Sequence, residues 1–292
     1  MKIFITGSSS FVGRELIRQC RSSNIEYLGV DKVSSDLPNC HIADICSKEI
    51  FDLIPINCDA IVHLAALSRD GDCKNNAYNC FNINVMGTLN LIDAAIKRNV
   101  KQFIFASTEW VYGKFDKDEI KNEQSHIDIS TISSEYALSK LVSESNLRQK
   151  YQHGFCHTTI LRFGIIYGPR KDNWSAVESL LSAVKNKPFV QVGSLATSRC
   201  FIHVGDIASG IIKSVGLNGF NIINLEGELP ATTLGQIIGE GKIIFKTDPK
   251  IEETNASNPN VRMVSNQKAK DVIGWETKIS LPAGIESIVE FI

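Results

Sequence analysis

Short apolar segments alternate with longer amphipathic ones through roughly the first 165 residues of the chain. Lys2–Thr6 is an apolar segment of this kind, and Phe11–Arg21, which follows it, has its apolar residues on one face of a helix. The same alternation predicts strands at Tyr27–Val30, His41–Ala43, Ala60–His63, Gln102–Ala106 and Thr158–Phe163, and helices at Ala77–Arg98 and Ser134–Tyr151. Continuous apolar strands separated by helices indicate a parallel sheet covered on both faces. We therefore predict an α/β protein with a Rossmann-type, doubly wound parallel sheet.

The first predicted strand runs directly into the sequence TGSSSFVGREL. Gly7 allows a tight turn there, and Gly13 allows the helix to pack closely on the strand. The N-terminus of that helix offers N–H groups and a partial positive charge to a pyrophosphate. Asp31 ends the second strand, where its carboxylate can accept hydrogen bonds from an adenosine ribose and would repel a 2′-phosphate. These residues predict that the chain binds NAD rather than NADP.

The second part of the chain is less regular. After Gly168-Pro169, shorter elements are separated by turn-forming stretches at Asn186–Pro188, Gly227–Pro230 and Asn255–Pro259. We therefore predict an NAD-binding Rossmann domain over residues 1–166, to which residues 204–225 return. Residues 167–203 and 226–292 are expected to form a smaller, mixed α/β substrate-binding lobe.

Composition narrows the class of protein. Hydrophobic residues make up 43% of the chain and charged residues 22%, which is usual for a soluble globular protein. The net charge of −1 and the lack of a long Lys/Arg run argue against a nucleic-acid or membrane-surface role. The eight cysteines form no C-x-x-C pair and no recognisable metal spacing, so we expect reduced core residues and no metal. Without a signal-peptide pattern, or an apolar stretch of roughly 20 residues, a cytoplasmic protein is expected.

A candidate acid–base group lies in the sequence SSEYALSKLVSE. Tyr136 and Lys140 are four residues apart and therefore share a face of a helix. An ammonium near the phenol, together with an oxidised nicotinamide, would lower the Tyr pKa and make the side chain a usable acid and base near neutral pH. Tyr167 and Lys171 have the same spacing, but Gly168-Pro169 prevents a regular helix between them.

Taken together, these features resemble the extended short-chain dehydrogenase/reductase family, in its nucleotide-sugar epimerase/dehydratase branch. TGSSSFVG is similar to the family's TGxxGxxG, HLAA to its HLAA, NVMGT to NVxGT, ASTEWVYG to SSxxVYG, and SEYALSK to YxxSK. Further along, LRFGIIYGPR is similar to LRxxNVYGPR, RCFIHVGD to RDFIHVDD, and VIGW followed by SL to LGWxPxxSL. The resemblance covers nearly the whole chain.

The resemblance implies a role for each matching position. Thr108, Tyr136 and Lys140 would be the catalytic residues: Tyr136 is the acid/base at a sugar hydroxyl, Lys140 holds the nicotinamide ribose, and Thr108 shares the hydrogen bond. The implied cofactor-binding residues are Gly7, Ser10, Phe11, Val12, Gly13, Asp31, Asp44, Ile45, Leu64, Ala65, Ala66, Asn84, Tyr136 and Lys140. The implied substrate-binding residues, for a nucleotide-diphosphate sugar, are Ser68, Arg69, Thr108, Glu109 and Arg199.

The resemblance leaves the reaction open. The family's 4,6-dehydratases carry a Glu base directly before VYG, and Trp110 stands there in this chain; an indole cannot accept a proton. Glu109 lies one residue early, so its side chain points elsewhere and a 4,6-dehydratase is disfavoured. An epimerase acting by transient oxidation, with C4 of the sugar as the first expectation, is favoured slightly over an NAD(P)H-dependent 4-keto-sugar reductase. A reductase of a non-sugar carbonyl and a non-catalytic dinucleotide-binding sensor are further alternatives.

Several positions depart from the family's pattern. Ser10 replaces a glycine of the phosphate loop, which predicts altered packing without loss of binding. Ile165 stands where an Asn often contacts substrate, whereas Arg199 still suits a diphosphate and Arg262 is a second candidate for that role. Lys114–Asp128 is charged and is predicted to be an exposed loop near the sugar. By analogy with the family, the predicted helices Ala77–Arg98 and Ser134–Tyr151 would form a homodimer.

Overall fold

The computed structural model describes residues 1–172 and 174–292. Its strands are β1 Lys2–Thr6, β2 Glu26–Asp31, β3 Cys40–Ile42, β4 Ala60–His63, β5 Gln102–Thr108, β6 Ile120–Lys121, β7 His157–Phe163, β8 Ile166–Tyr167, β9 Phe189–Val192, β10 Ser198–Arg199, β11 Ile202–His203, β12 Phe220–Leu225, β13 Thr232–Thr233, β14 Lys250–Glu253 and β15 Met263–Val264. Its α-helices are α1 Phe11–Ser22, α2 Ile50–Leu53, α3 Asp70–Cys73, α4 Ala77–Phe81, α5 Gly87–Lys97, α6 Glu135–Gln152, α7 Ala176–Asn186, α8 Val204–Ser214, α9 Leu234–Phe245, α10 Gln267–Ile273 and α11 Leu281–Glu286. Glu109–Tyr112, Ile129–Thr131 and Val289–Phe291 are 3-10 helices, and Asn82–Met86 is a π-helical segment.

Within the described residues, seven strands form the main sheet in the order β12-β7-β5-β4-β1-β2-β3. β1 pairs in parallel with both β2 and β4, so the strand order reverses between β1 and β4. The bonds from Thr158 N to Gly219 O and from Gly164 N to Leu225 O advance in the same direction, so β12 is parallel to β7. This sheet and its flanking helices confirm the predicted Rossmann-type fold class. Ligands of such sheets bind beyond the carboxyl ends of the strands, at the reversal.

Apolar residues at sheet and helix spacing build the core around this sheet. Ile3, Phe4 and Ile5 in β1 are fully buried, and Leu16 and Ile17 in α1 are fully buried as well. Burial of one such side chain stabilises the fold by about 1.5–3 kcal/mol. Strand β5 is buried along its whole length, as its place inside the sheet requires. The core therefore holds the strand ends that carry the candidate site in fixed positions.

Besides shifts of one residue at element ends, the structure differs from the sequence-based elements at three places. The helix predicted over Ala77–Arg98 is divided into α4, the π-helical segment and α5. β5 continues to Thr108, two residues past its predicted end. The prediction of an exposed loop over Lys114–Asp128 is wrong at β6, which pairs with β15 and carries the buried Lys121. Pairing between residues so distant in the chain leaves no local sequence pattern.

The chain divides into two compact units. The first contains Met1–Lys114, Ser125–Phe163 and Ala208–Ile223, and the second contains Phe115–Gln124, Gly164–Ile207 and Asn224–Ile292. This grouping differs from the predicted domain division mainly at residues 115–124, which the sequence analysis assigned to the first domain.

The second unit has its own core and its own polar anchor. Tyr167, Leu181 and Ile237 belong to its buried apolar cluster. The Asp206 carboxylate, 3% exposed, accepts backbone hydrogen bonds from Lys278 and Ile279. The acidic residue that ends the RCFIHVGD motif thus holds the C-terminal segment of this unit. Among the described residues, no helix is both long enough and apolar enough to cross a membrane.

Candidate active site

The turn between β1 and α1 has the shape that the sequence predicts for a phosphate loop. Gly7 has φ +72°, and a Cβ added to it would lie 2.7 Å from the backbone nitrogen of Ala65. A Cβ on Gly13 would lie 2.2 Å from the carbonyl oxygen of Gly7. The hydroxyl of Ser10 caps α1 by accepting a hydrogen bond from the N–H of Gly13, 3.1 Å away. The serine that replaces the family's glycine therefore stabilises the helix start.

Asp31 lies at the end of β2, beside this turn. Its Oδ2 accepts a hydrogen bond of 3.0 Å from the backbone N–H of Ser9, and its Oδ1 accepts a longer one from Val33. These bonds fix the carboxylate next to the phosphate loop, where a ribose of a dinucleotide would bind. The Ser9 hydroxyl oxygen is buried and has no hydrogen-bond partner among the described residues, which fits a loop built to receive a ligand.

A buried histidine, which the sequence analysis did not single out, joins three parts of the site. Thr88 donates its hydroxyl proton to the carbonyl of Asn84 at 2.6 Å, so it accepts from Nε2–H of His63 at 3.0 Å. Nδ1 of His63 then accepts from the hydroxyl of Thr6 at 2.8 Å, and that hydroxyl accepts from Ala65 N–H. Burial lowers the pKa of His63 well below its usual value, so the ring is neutral, as this assignment requires.

Asn84 lies in the π-helical segment and is 1% exposed. Its side-chain amide accepts from the N–H of Leu67 at 2.8 Å and donates to the carbonyl of Leu67 at 3.0 Å. It also donates to the hydroxyl of Ser139 in α6, 2.9 Å away. Asn84 therefore ties the loop after β4 to α6. A local π-turn, common at functional sites, aims its side chain inward. Its predicted direct contact with the cofactor stays a prediction.

The three predicted catalytic residues come together within the first unit. Thr108 ends β5, and Tyr136 and Lys140 lie in the first two turns of α6, which Ser134 caps. The Thr108 hydroxyl is within hydrogen-bonding reach of the Tyr136 hydroxyl. Nζ of Lys140 donates to the carbonyl of Ala106 at 2.8 Å and lies 5.9 Å from the centre of the Tyr136 ring. This arrangement is suited to moving one proton at a hydroxyl or carbonyl group.

The pKa values of the two ionisable members shift because of burial. Burial lowers the pKa of Lys140 to about 8, and raises the pKa of Tyr136 above its ordinary value. The hydrogen bond from Thr108 acts in the opposite direction on Tyr136 but is the smaller effect. The predicted lowering of the Tyr136 pKa is therefore wrong for the protein alone. That prediction included a positive nicotinamide ring, whose charge would act on the loaded protein.

Lys140 gives a first testable prediction, because its burial costs stability. Its folded-state pKa of about 8 lies below the ordinary 10.5, so between these pH values the unfolded chain binds more protons and stability rises with pH. Below pH 8 the full penalty is present, about 3 kcal/mol. Loss of the bond to Ala106 O costs about 1 kcal/mol. We expect Lys140→Met to stabilise the protein by about 2 kcal/mol at pH 7.

Urea unfolding of Lys140→Met and the unmodified protein, each at pH 7 and pH 10.5, measures this difference. The stability gain should disappear at pH 10.5, where folded Lys140 is neutral. Other titrating groups cancel in the difference between the two proteins. A gain that is equal at both pH values would contradict a buried ammonium.

The other predicted residues of the first unit differ in exposure. Ser68 and Arg69 are exposed directly before α3, whereas Glu109 is 1% exposed. Trp110, next to it, is 44% exposed. The residue in the position of the family's dehydratase base is thus an accessible indole. The predicted carboxylate contact of Glu109 would require its side chain to leave its buried position.

All the predicted site residues except Arg199 and Arg262 belong to the first unit. They follow the carboxyl ends of β1, β2, β3, β4 and β5, or lie in the helices beside them. Among them, Asp44 accepts from the N–H of Cys46, and Ile45 is buried against Gly87. The clustering at one edge is what parallel strands dictate.

The sequence model of the NAD dependent epimerase/dehydratase family matches residues 3–223 of this chain.

The chain belongs to this family.

Two named proteins and one solved structure are similar to this family member over most of its length. UDP-glucuronate 4-epimerase from Thermodesulfobacterium geofontis is 28% identical, over 84% of this chain and 75% of its own length. UDP-glucuronic acid decarboxylase 1 from Arabidopsis thaliana is 26% identical, over 99% of this chain and 69% of its own length. The solved structure of UDP-glucose 4-epimerase from Thermotoga maritima with UDP-glucose has a TM-score of 0.86 at 24% identity, covering 100% of this chain and 98% of that one. The structural likeness shows a shared fold.

The second unit of this family member contains the two arginines that the sequence analysis proposed for a diphosphate. Nη1 of Arg199 donates to the carbonyls of Ser198 and Asn260, at 2.8 and 2.6 Å. The guanidinium of Arg262 lies 4.3 Å from the centre of the Phe115 ring, and the residue is 9% exposed. Backbone bonding between Ser198 and Arg262 brings both arginines to one small sheet region of this unit. Their diphosphate role stays a prediction.

Proposed function

We propose that this protein is an NAD-dependent nucleotide-sugar epimerase that acts by transient oxidation of a sugar hydroxyl, with C4 as the first candidate. The observation that carries the proposal is the convergence of Thr108, Tyr136 and Lys140 at the carboxyl edge of the sheet. One hydroxyl, one phenol and one ammonium provide what a reversible hydroxyl–ketone exchange needs from a protein. Family membership and the names of the relatives support a nucleotide-sugar substrate.

The residues of the first unit fit NAD. Gly7 and Gly13 let the backbone of the turn pack closely, and a pyrophosphate would bind the backbone N–H groups at the start of α1. Asp31 is held by Ser9 where it can accept hydrogen bonds from ribose hydroxyls. When bound, NAD supplies an acceptor and donor of hydride at the sugar carbon. We assign the protein's own part of the reaction to Tyr136, Lys140 and Thr108.

The proposed proton transfer starts at the sugar hydroxyl. Tyr136 takes the hydroxyl proton as the carbonyl forms and returns it when hydride is delivered to the opposite face. Thr108 shares the hydrogen bond and orients the phenol. Lys140 is protonated below pH 8 and its Nζ lies 5.9 Å from the centre of the Tyr136 ring, so its charge would favour phenolate. Ser68, Arg69, Glu109 and Arg199 remain the proposed substrate contacts.

Three other reactions are alternatives. A 4-keto-sugar reductase would use the same three residues, with the cofactor exchanging at each turnover. A 4,6-dehydratase would need a base where the exposed Trp110 stands, and this disfavours it. A decarboxylase is a further alternative, because several relatives are UDP-glucuronic acid decarboxylases. A homodimer formed through the region of α4–α5 and α6 is proposed by analogy with the family, and the cytoplasmic location stays a proposal.

Product analysis distinguishes these reactions. The purified protein is denatured and any released dinucleotide is identified by mass spectrometry. The protein is also incubated with UDP-glucose, UDP-galactose and UDP-glucuronate, and the products are read by mass and proton NMR. An epimerase yields a product of unchanged mass with inverted stereochemistry and consumes no added cofactor. Loss of water, loss of carbon dioxide, or consumption of NAD(P)H would instead identify a dehydratase, a decarboxylase or a reductase.

Asp31 gives a second prediction, on cofactor choice. Asp31→Asn keeps an oxygen that can accept from Ser9 N–H but removes the charge that repels a 2′-phosphate. We expect the ratio of the Kd values for NADPH and NADH to fall about 10-fold or more, because like charges at close range cost several kcal/mol at partly buried sites. Titration followed by nicotinamide fluorescence measures both constants. Asp52→Asn, another aspartate of the same unit, is the control, and an equal change in both variants would contradict the assignment.

A further inference from the structure

The residue before Thr108 makes a buried polar contact that the proposed reaction does not use. Ser107, 2% exposed, donates its hydroxyl to Oε1 of Glu144 in α6. Side chains of successive strand residues project to opposite faces, so Ser107 and Thr108 face different sides of β5. Glu144 lies four residues after Lys140, on the same face of α6. The helix that carries Tyr136 and Lys140 is therefore linked to the strand residue that precedes Thr108.

Arg162 completes this network from the neighbouring strand. It is the register partner of Ser107 in the pairing of β5 with β7. Its Nη2 and Nε donate to the two carboxylate oxygens of Glu144, at 2.7 and 3.1 Å, and both residues are less than 5% exposed. Its guanidinium also lies 4.9 Å from the centre of the Tyr112 ring. The network thus contacts the chain immediately before and shortly after Thr108 and joins three elements of the site.

Stability alone gives no reason for an ion pair at this place. Removing two charges from water costs several kcal/mol each, and apolar residues of similar volume are often as stabilising. What the pair adds is a fixed geometry, because a bidentate carboxylate–guanidinium contact allows little variation in angle. That geometry is transmitted to Ser107 by a hydrogen bond and to Tyr112 by a cation–π contact.

We propose that Ser107, Glu144 and Arg162 form a buried clamp that positions the Thr108 hydroxyl against Tyr136. The three are positioning residues, since they act through Thr108. The proposal rests on the proposed function insofar as it takes Thr108 and Tyr136 as the reacting pair. The clamp has a second effect on Lys140: burial lowers the pKa of Lys140, and the negative charge of Glu144 opposes that lowering.

Ser107→Ala is the sharpest test, because it removes one hydroxyl and leaves the Glu144–Arg162 pair intact. Glu144→Gln would leave a buried guanidinium without its countercharge and would destabilise the whole fold. The matched control is Thr159→Val. It removes a buried hydroxyl that accepts from Gln102, at the other end of the same strand pair. Both variants should lose about 2–4 °C in Tm.

Only Ser107→Ala should lower the catalytic rate. We expect kcat to fall about 10-fold, with KM and the Kd for NAD within about twofold, because misplacing a catalytic hydroxyl affects the transition state more than binding. We also expect amide exchange over residues 108–112, where Trp110 N–H donates to the Thr108 hydroxyl, to become about 10-fold faster. In Thr159→Val both quantities should stay at the values of the unmodified protein.

The two readouts separate failure of the clamp from failure of the epimerase proposal. Unchanged kcat and unchanged exchange in Ser107→Ala, or equal changes in both variants, would overturn the clamp while leaving the reaction in place. If the unmodified protein converts no nucleotide sugar, the proposed function fails, and amide exchange alone then decides for or against the clamp.

Discussion

Tyr136→Phe is expected to lower kcat by about 10³-fold, because it removes the group that takes and returns the proton of the sugar hydroxyl. Phenylalanine keeps the ring beside Lys140 and the start of α6, so the fold should be preserved. The Kd for NADH should stay within about twofold, since no backbone group of the phosphate loop is touched. Steady-state turnover of UDP-glucose and fluorescence titration of NADH measure the two quantities separately.

Tyr151→Phe is the control for this experiment. Tyr151 lies near the other end of α6, where its ring packs on Phe220 at 5.5 Å. Its hydroxyl has no part in the proposed reaction, so kcat should stay within about twofold of the unmodified protein. A Tyr136→Phe enzyme that kept more than about a tenth of the normal kcat would mean that another group handles the proton. A variant that lost NADH binding as well would mean that Tyr136 supports the cofactor site, by direct contact or through the fold.

The sheet and the phosphate loop could be predicted because their signals are local. Lys2–Thr6 has the same bounds in the sequence analysis and in the structure, and α1 differs from its prediction by one residue. A strand, a glycine-rich turn and a helix in direct succession leave few alternatives. The meeting of Thr108, Tyr136 and Lys140 followed from the resemblance to a family, not from spacing alone.

The remaining features could not be predicted because they depend on contacts between distant residues. His63 bonds to Thr6 and Thr88, which lie 57 and 25 residues away in the chain. Ser107 and Glu144, 37 residues apart, carry no pattern that distinguishes them from other polar residues near strand and helix. The rise of the Tyr136 pKa in the protein alone could not be predicted for the same kind of reason. Sequence spacing places Lys140 on the same helix face, but burial, the largest cause of the rise, depends on the packed structure.

Gly13→Ala is expected to weaken NAD binding by about 10²-fold or more and to lower stability. The added Cβ would lie 2.2 Å from the carbonyl oxygen of Gly7 and 2.9 Å from Cα of Ser8. Both are backbone atoms of the phosphate loop, so relief requires the turn and α1 to move apart, at a cost of about 1–3 kcal/mol. That movement would displace the N–H groups that receive the pyrophosphate. Fluorescence titration with NADH and thermal unfolding measure the two losses.

Gly239→Ala separates this effect from a general response to the extra methyl group. Gly239 lies inside α9, and apart from its chain neighbours and the backbone of its own helix turns, no atom of the described residues is within 4 Å of the Cβ it would gain. Alanine there should raise stability by about 0.4–1 kcal/mol, because it restricts the unfolded chain and favours helix. NADH affinity should be unchanged. If Gly13→Ala stayed folded and bound NADH as tightly as Gly239→Ala does, the turn between β1 and α1 would not be the pyrophosphate site.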